Sequence, residues 1–197
     1  MIKIYGVGGA RSRRVIWTCE EIGVAYEVAT MTMPTRVNHP EYLDISPAGA
    51  LPAIEDGPVR MIESLAICEY LARKYGGDLV PGADEAGYTD YLQYLFFGEA
   101  TPAPPLTWVR RFGPDLDKAV QDGRETFALR LSVISRALAD GRLYLAAGRL
   151  TLADISVGYT LGLARLFGVG DLIPAEVTAY EDRLKARPAY QRAYAVT

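Results

Sequence analysis

Four short stretches carry the residue types that can do chemistry. In GGARSRRVIW, from Gly8 to Trp17, three cations (Arg11, Arg13 and Arg14) stand where an apolar pattern predicts that a helix begins. A helix N-terminus already holds partial positive charge on its unpaired amides, so further cations there prepare a place for an anion. Ser12 is expected to cap this helix and to offer a hydroxyl into a cleft. In SPAGALPAIEDG, from Ser46 to Gly57, Pro52 opens a predicted strand and leaves the backbone of Leu51 outside a normal ladder. An extended peptide can join such an edge as an added strand, the more so if the Leu51 to Pro52 bond is cis; an ordinary proline at a strand entry is the plainer alternative.

In ESLAICEYLARKYG, from Glu63 to Gly76, Ser64 is the expected N-cap of a helix whose first amides suit a carboxylate. Glu63 beside it supplies an acceptor for an ammonium, so the pair fits the doubly charged end of an α-amino acid. Capping alone explains Ser64 and gives no reason for Glu63, which by itself reads as a solvated acid. The fourth stretch, LTLADISVGY, combines Thr151 as N-cap, Asp154 three residues on in a capping box, and Leu150 with Ile155 as a hydrophobic staple. That signal is structural, and removing the Asp154 carboxylate is expected to cost about 1 kcal/mol or more through the cap.

Competing chemistries are thinly represented. The chain has one histidine and no clustered carboxylates or cysteines, so neither a triad, a metal site nor a general-base pair is legible. Its 21 basic and 24 acidic residues leave a net charge of -3, and beyond the arginine cluster there is no basic tract, which argues against a nucleic-acid partner. The apolar stretch from Ile155 to Ile173 is interrupted by Arg165 and Asp171 and reads as a buried helix, not a membrane span. Cys19 and Cys68 sit far apart in helical patterns, which points to a reducing compartment, the cytoplasm by default. The N-terminus, MIKIYGVGG, reads as a strand running into a glycine turn and not as a signal peptide, so the mature chain is expected to begin there.

The elements that must position these residues alternate at first. Ile2 to Tyr5 is a strand candidate; Arg13 to Ile22 is helical with Val15, Ile16, Cys19 and Ile22 in phase before Gly23; Val24 to Thr30 alternates as a second strand. An irregular proline-containing stretch leads to LPAIE and VRMIE, read as a hairpin about Asp56, Gly57 and Pro58, and a helix follows from Leu65 to about Tyr75. Beyond a Gly, Asp and Pro-rich linker, helical patterns dominate to the end, with a breaker cluster at TPAPPL, Thr101 to Leu106. The fold class is therefore an α/β domain followed by an all-α domain.

The order and wording of GGARSRRVIWTCEEIGVAYE, ISPAGALPAIEDGPVRMIESLAICEYLARKYG, LTLADISVGY and ARPAYQRA resemble the cytosolic glutathione S-transferase family along essentially the whole chain. The resemblance implies a thioredoxin-like glutathione-binding domain over 1–76, a linker over 77–83 and a helical bundle over 84–197. It also implies a homodimer with glutathione, as co-substrate, bound at the domain interface. Leu51 is similar to the position whose backbone pairs with the cysteinyl part of glutathione, Pro52 to the family's cis-proline, and Glu63 with Ser64 to the pair that holds the γ-glutamyl end. Asn38 and His39 lie near the family's contact to the glycine carboxylate. The stretch from Tyr91 to Leu106 resembles the first long helix of the second domain in many bacterial members. Tyr94, Phe97 and Trp108 are then candidates to line a pocket for a hydrophobic electrophile, against a reading as plain interhelical core, and Glu99 to reach the partner subunit's glutathione.

The catalytic position departs from the family pattern. Serine-type members carry the activating serine four or five residues before the arginine of an Arg-Val pair; here that position falls on Ala10 or Gly9, neither of which has a hydroxyl. Tyr5 is two residues out of place for a tyrosine-type member, and the loop holds no cysteine. Arg11 and Ser12, with backbone amides, remain as the expected catalytic groups. A free thiol has a pKa of about 8.5, and lowering it by roughly two units takes about 2.7 kcal/mol, which a charge-assisted hydrogen bond and a helix dipole can supply. Glutathione transfer to an electrophile is the function expected. A glutathione-dependent reductase, isomerase or dehalogenase and a non-catalytic dimeric binding module stand as alternatives.

Overall fold

The computed structural model describes residues 1–7, 10–112 and 117–196, and Gly9 lies outside them. The chain divides into two compact units, one of residues 1–80 with the segment from Arg187 onward, the other of residues 81–186.

In the first unit β1 (Ile2–Gly6) feeds α1 (Ser12–Ile22), which returns the chain to β2 (Tyr26–Thr30), parallel to β1. The turn out of α1 needs a left-handed residue, and Gly23 supplies it at φ 71 with its N–H on the Cys19 carbonyl. The expected hairpin is present as β3 (Ala53–Asp56) and β4 (Val59–Ile62), and β3 pairs antiparallel with β1, giving the sheet order β2-β1-β3-β4. The irregular stretch between β2 and β3 holds a short α2 (Thr35–Asn38) and a 3-10 turn over Pro40–Asp44, and the Met33–Pro34 bond is cis.

Pleating splits this sheet's side chains between two small cores. Ile2, Ile4 and Ile54 are buried along with Val15, Ile16 and Cys19 of α1 and Ile67, Cys68 and Leu71 of α3 (Ser64–Tyr75). Tyr5, Ala53, Met31 and Tyr42 form a separate cluster against which Leu51 and Ile62 pack. Both cysteines are free and buried, and burial pushes the Cys68 thiol up to about 12, so neither serves as a nucleophile at neutral pH.

The C-terminal helix α9 (Pro188–Ala195) packs on α1 and falls in the first compact unit. Trp17, fully buried, meets the Tyr190 ring edge to face at 4.9 Å. Arg187 forks onto the Glu21 carboxylate at 2.7 and 2.8 Å, and Arg192 pairs with Glu20 at 2.6 Å. Arg13 donates to the Ala193 carbonyl and lies over the Tyr194 ring. A segment with polar-looking spacing thus joins the first unit through aromatic and bidentate contacts that depend on α1 being formed.

The second unit is helical: α4 (Tyr88–Ala100), α5 (Ala103–Phe112), α6 (Asp117–Leu138), α7 (Leu152–Leu166) and α8 (Ala175–Lys185). The breaker read at Thr101 to Leu106 is narrower than expected, because Pro104 and Pro105 lie in the first turn of α5, where the missing N–H groups have no intrahelical partner to lose. Helices α4 and α7 approach closely: Ser156 donates to the Leu95 carbonyl at 2.8 Å and Thr160 to the Gly98 carbonyl at 2.7 Å. The capping box of α7 is formed, and Asp154 does more than cap. Its fully buried carboxylate accepts from the Thr151 N–H at 2.8 Å, the Thr151 hydroxyl at 3.0 Å, the Leu145 N–H at 2.9 Å and the Tyr180 hydroxyl at 2.8 Å.

Candidate functional site

The Leu51–Pro52 bond is cis, and the ladder starts only at Ala53, which pairs with Ile62. Leu51, half-buried, therefore holds its N–H and C=O just beyond the end of β3. The same end of β4 runs straight into α3. Between them Glu63 takes φ 71 and ψ 104, a backbone conformation that side chains with a Cβ rarely adopt. Such an outlier costs of order 1–3 kcal/mol and persists where surrounding structure imposes it, commonly at ligand sites. Its effect here is geometric: the Glu63 side chain is exposed at the mouth of the helix while the next residue, Ser64, is buried.

Ser64 is not the cap that the sequence suggests. Glu63 occupies the N-cap position, its carbonyl taking the first intrahelical bond from the Ile67 N–H at 2.9 Å, and Ser64 is the first helical residue. The Ser64 hydroxyl accepts from the Arg14 guanidinium at 3.4 Å. The amides of Ser64, Leu65 and Ala66 precede the first bond of the ladder and keep the anion-favouring end of α3.

At the start of α1 the four polar residues separate into different jobs. Arg11 is half-buried at the N-cap position. Ser12, expected to cap α1 and to open into a cleft, does neither. Its hydroxyl donates to the Val7 carbonyl at 3.0 Å and accepts the Val7 N–H at 3.3 Å, and it is almost fully buried. A Cβ on Gly6 would sit 2.6 Å from the Ser12 Cβ, so the close approach of Ser12 to the end of β1 requires glycine there. Arg13 holds α9 through the Ala193 carbonyl and the Tyr194 ring, and Arg14 is fully buried with its guanidinium on the Ser64 hydroxyl.

The His39 ring takes the Thr32 N–H on Nε2 at 3.1 Å and lies 3.5 Å from the Glu41 carboxylate through Nδ1. Asn38 donates to the Met33 carbonyl at 3.0 Å. Tyr5, a candidate only by residue type, donates to Glu55 at 2.6 Å, and burial together with that carboxylate pushes its phenol up to about 12, so it holds its proton. In the second unit Tyr94 and Phe97 are buried on α4 and meet edge to face at 6.3 Å, Glu99 on the same helix is half-buried, and Trp108 on α5 is exposed. Among the described residues no group of three or more His, Cys, Asp and Glu side chains can hold a metal ion, and no helix is long and apolar enough to cross a membrane.

The family model of the glutathione S-transferase N-terminal domain matches residues 5–79, the segment that holds the cis-proline, Glu63, Ser64 and the α1 arginines. Glutathione S-transferase 1 of Zea mays is 31% identical over 99% of this chain and 96% of its own length. The chain belongs to the glutathione S-transferase family. Glutathione S-transferase F10 of Arabidopsis thaliana is 30% identical over 97% of this chain and 95% of its own. A solved glutathione transferase family member from Pseudomonas fluorescens, with two glutathione bound, superposes with a TM-score of 0.87 at 27% identity, covering 98% of this chain and 92% of that one. Family membership accounts for the thioredoxin-like sheet with helices and for the all-helical second unit.

Within this family member, Arg14 is the charged residue that the fold brings inside, onto the Ser64 hydroxyl. A signal was available: Arg14 and Thr18 are one helical turn apart beside the apolar positions Val15 and Cys19, so an arginine sits on the inward face of α1. All four are fully buried.

Proposed function

We propose that this protein binds glutathione and presents its thiolate to a hydrophobic electrophile, as a transferase. The observation that carries the reading is the junction of β4 and α3. There an exposed carboxylate held at φ 71 adjoins a buried hydroxyl at the amide end of a twelve-residue helix. The γ-glutamyl end of glutathione offers an ammonium and a carboxylate, and Glu63 with Ser64 and the first amides of α3 offer the complements. The backbone of Leu51, before cis-Pro52, is assigned the cysteinyl amide, an extended pairing of the added-strand kind. His39 is assigned the glycine carboxylate, Glu99 the partner subunit's glutathione in a homodimer, and Tyr94, Phe97 and Trp108 the electrophile.

Chemistry then needs only a thiolate in place. The protein binds the tripeptide so that the thiol lies at the amide end of α1, where Arg11 and the helix dipole favour the ionised sulfur; the thiolate attacks the electrophilic carbon, and the leaving group departs with the electron pair. Ser12 supports this indirectly, by tying α1 to the backbone of Val7. Reduction, isomerisation and dehalogenation draw no specific support from these residues. A cytoplasmic setting agrees with two free, buried cysteines.

Two measurements test the reading. The protein should be retained on immobilised glutathione and Ser64→Ala should elute early; a wild-type protein that passes straight through refutes glutathione binding. In Arg11→Ala the thiolate absorbance of bound glutathione should titrate about one unit higher than in wild type, the loss of roughly 1.4 kcal/mol of charge assistance, with conjugation of a general aryl halide slowed at neutral pH. Identical titrations would remove Arg11 from the mechanism.

A further inference from the structure

We propose that Arg14 is a positioning residue of this site, aiming the Ser64 hydroxyl at the ligand's α-carboxylate and strengthening the bond between them. The inference rests on the glutathione reading above and adds to it a residue that never touches the ligand. Arg14 is on α1 and Ser64 on α3, fifty positions apart in the chain, yet the guanidinium lies 3.4 Å from Ser64 Oγ with both residues buried.

A guanidinium has five N–H donors and no acceptor, so in this pair the hydroxyl oxygen must accept. Its own proton is thereby turned away from Arg14 and left for a third group. The helix amides of Ser64, Leu65 and Ala66 are themselves donors and cannot take that proton, so a group arriving at this helix end receives it only as an acceptor. A carboxylate is such an acceptor. A hydroxyl that accepts from a cation is also polarised into a better donor, and a pair removed from water transmits this more fully than an exposed one. Placement on α1 has a second consequence: the helix that begins at the thiol end of the site also sets the hydroxyl at the glutamyl end. The two ends are therefore held by one rigid element. Thr18 contributes to its rigidity by donating to the Arg14 carbonyl at 2.8 Å.

A structural role and this one differ in what they do to ligand choice. The probes are glutathione and γ-aminobutyryl-cysteinyl-glycine, which lacks only the α-carboxylate. Calorimetric Kd values would be measured for wild type, Arg14→Met, Arg14→Lys and Ser64→Ala. Wild type should prefer glutathione, and Arg14→Met should lose about tenfold of that preference, the size of one charge-assisted hydrogen bond, while binding the truncated tripeptide as wild type does. Arg14→Lys should retain part of the preference, and Arg14→Met added to Ser64→Ala should cost nothing further. Equal weakening towards both tripeptides makes Arg14 a packing residue only and overturns the proposal. If wild type itself shows no preference, the carboxylate is not held at Ser64 and the underlying reading fails instead. Should Arg14→Met not fold, the unmodified protein still decides: the slowly exchanging guanidinium resonances of buried Arg14 should shift with glutathione and not with the truncated tripeptide, and no shift with either refutes the role.

Discussion

Asp154→Ala should destabilise the protein by about 3–5 kcal/mol at pH 7, several times the loss of an ordinary helix cap. The carboxylate accepts four hydrogen bonds with no solvent access, two from backbone N–H groups and two from hydroxyls. The hydroxyls of Thr151 and Tyr180 can turn, but the N–H groups of Leu145 and Thr151 cannot, and each buried donor left without an acceptor costs about 1–3 kcal/mol. Urea denaturation at fixed pH measures the loss, and a variant within 1 kcal/mol of wild type would show that water replaces the carboxylate at no cost. The pH dependence has a definite sign. Burial pushes the Asp154 carboxyl up to about 6, against the pull of its four donors. The folded protein then binds this proton more tightly than the unfolded chain, whose value is about 3.9. The residue's contribution is therefore largest below pH 4 and declines as pH rises to 6. Hence the stability gap between wild type and Asp154→Ala should be wider at pH 4 than at pH 7, by up to about 3 kcal/mol for a shift of two units.

Gly98→Ala should cost about 2–4 kcal/mol, an overpacking penalty at a helix crossing that cannot open. A Cβ on Gly98 would lie 2.5 Å from the Ser156 hydroxyl oxygen and 2.8 and 2.9 Å from the Ser156 carbonyl carbon and oxygen. The side-chain clash can be relieved by truncation; the backbone clash cannot. Separating α4 from α7 would also stretch the bonds from Ser156 to Leu95 and from Thr160 to Gly98. Ser156→Ala in the Gly98→Ala background should consequently recover less than half of the lost stability, as read by the denaturation midpoint. Full recovery would place the clash at the hydroxyl alone.

The α7 cap illustrates how much local sequence can say. Thr151 and Asp154 stand three residues apart, and that spacing is sufficient for the cap because both partners lie in one turn. Nothing local announces Leu145 or Tyr180, which reach the same carboxylate from nine and twenty-six positions away. The turn alone accounts for about 1 kcal/mol or more, and burial with these two distant donors adds to it. The hairpin about Gly57 and the helix ending at Gly23 were legible on the same local grounds, since turn and cap residues act within a few positions.

What the sequence by itself determined was the order of the elements, the two-part architecture, and the positions of Leu51, Pro52, Glu63 and Ser64 at the ends of strands and helices. These follow from periodicity and from backbone chemistry that is private to each residue. Only the tertiary structure decided the direction of each polar side chain. Ser12 and Ser64 both look like caps in sequence, yet one turns back to Val7 and the other accepts from Arg14. Three neighbouring arginines likewise part company: Arg13 holds the C-terminal helix, Arg14 goes inside, and Arg11 stays at the helix entrance. A hydroxyl or a guanidinium binds whatever donor or acceptor folding brings within about 3 Å, and partners fifty or more residues away are brought there only by packing α1 against α3 and α9.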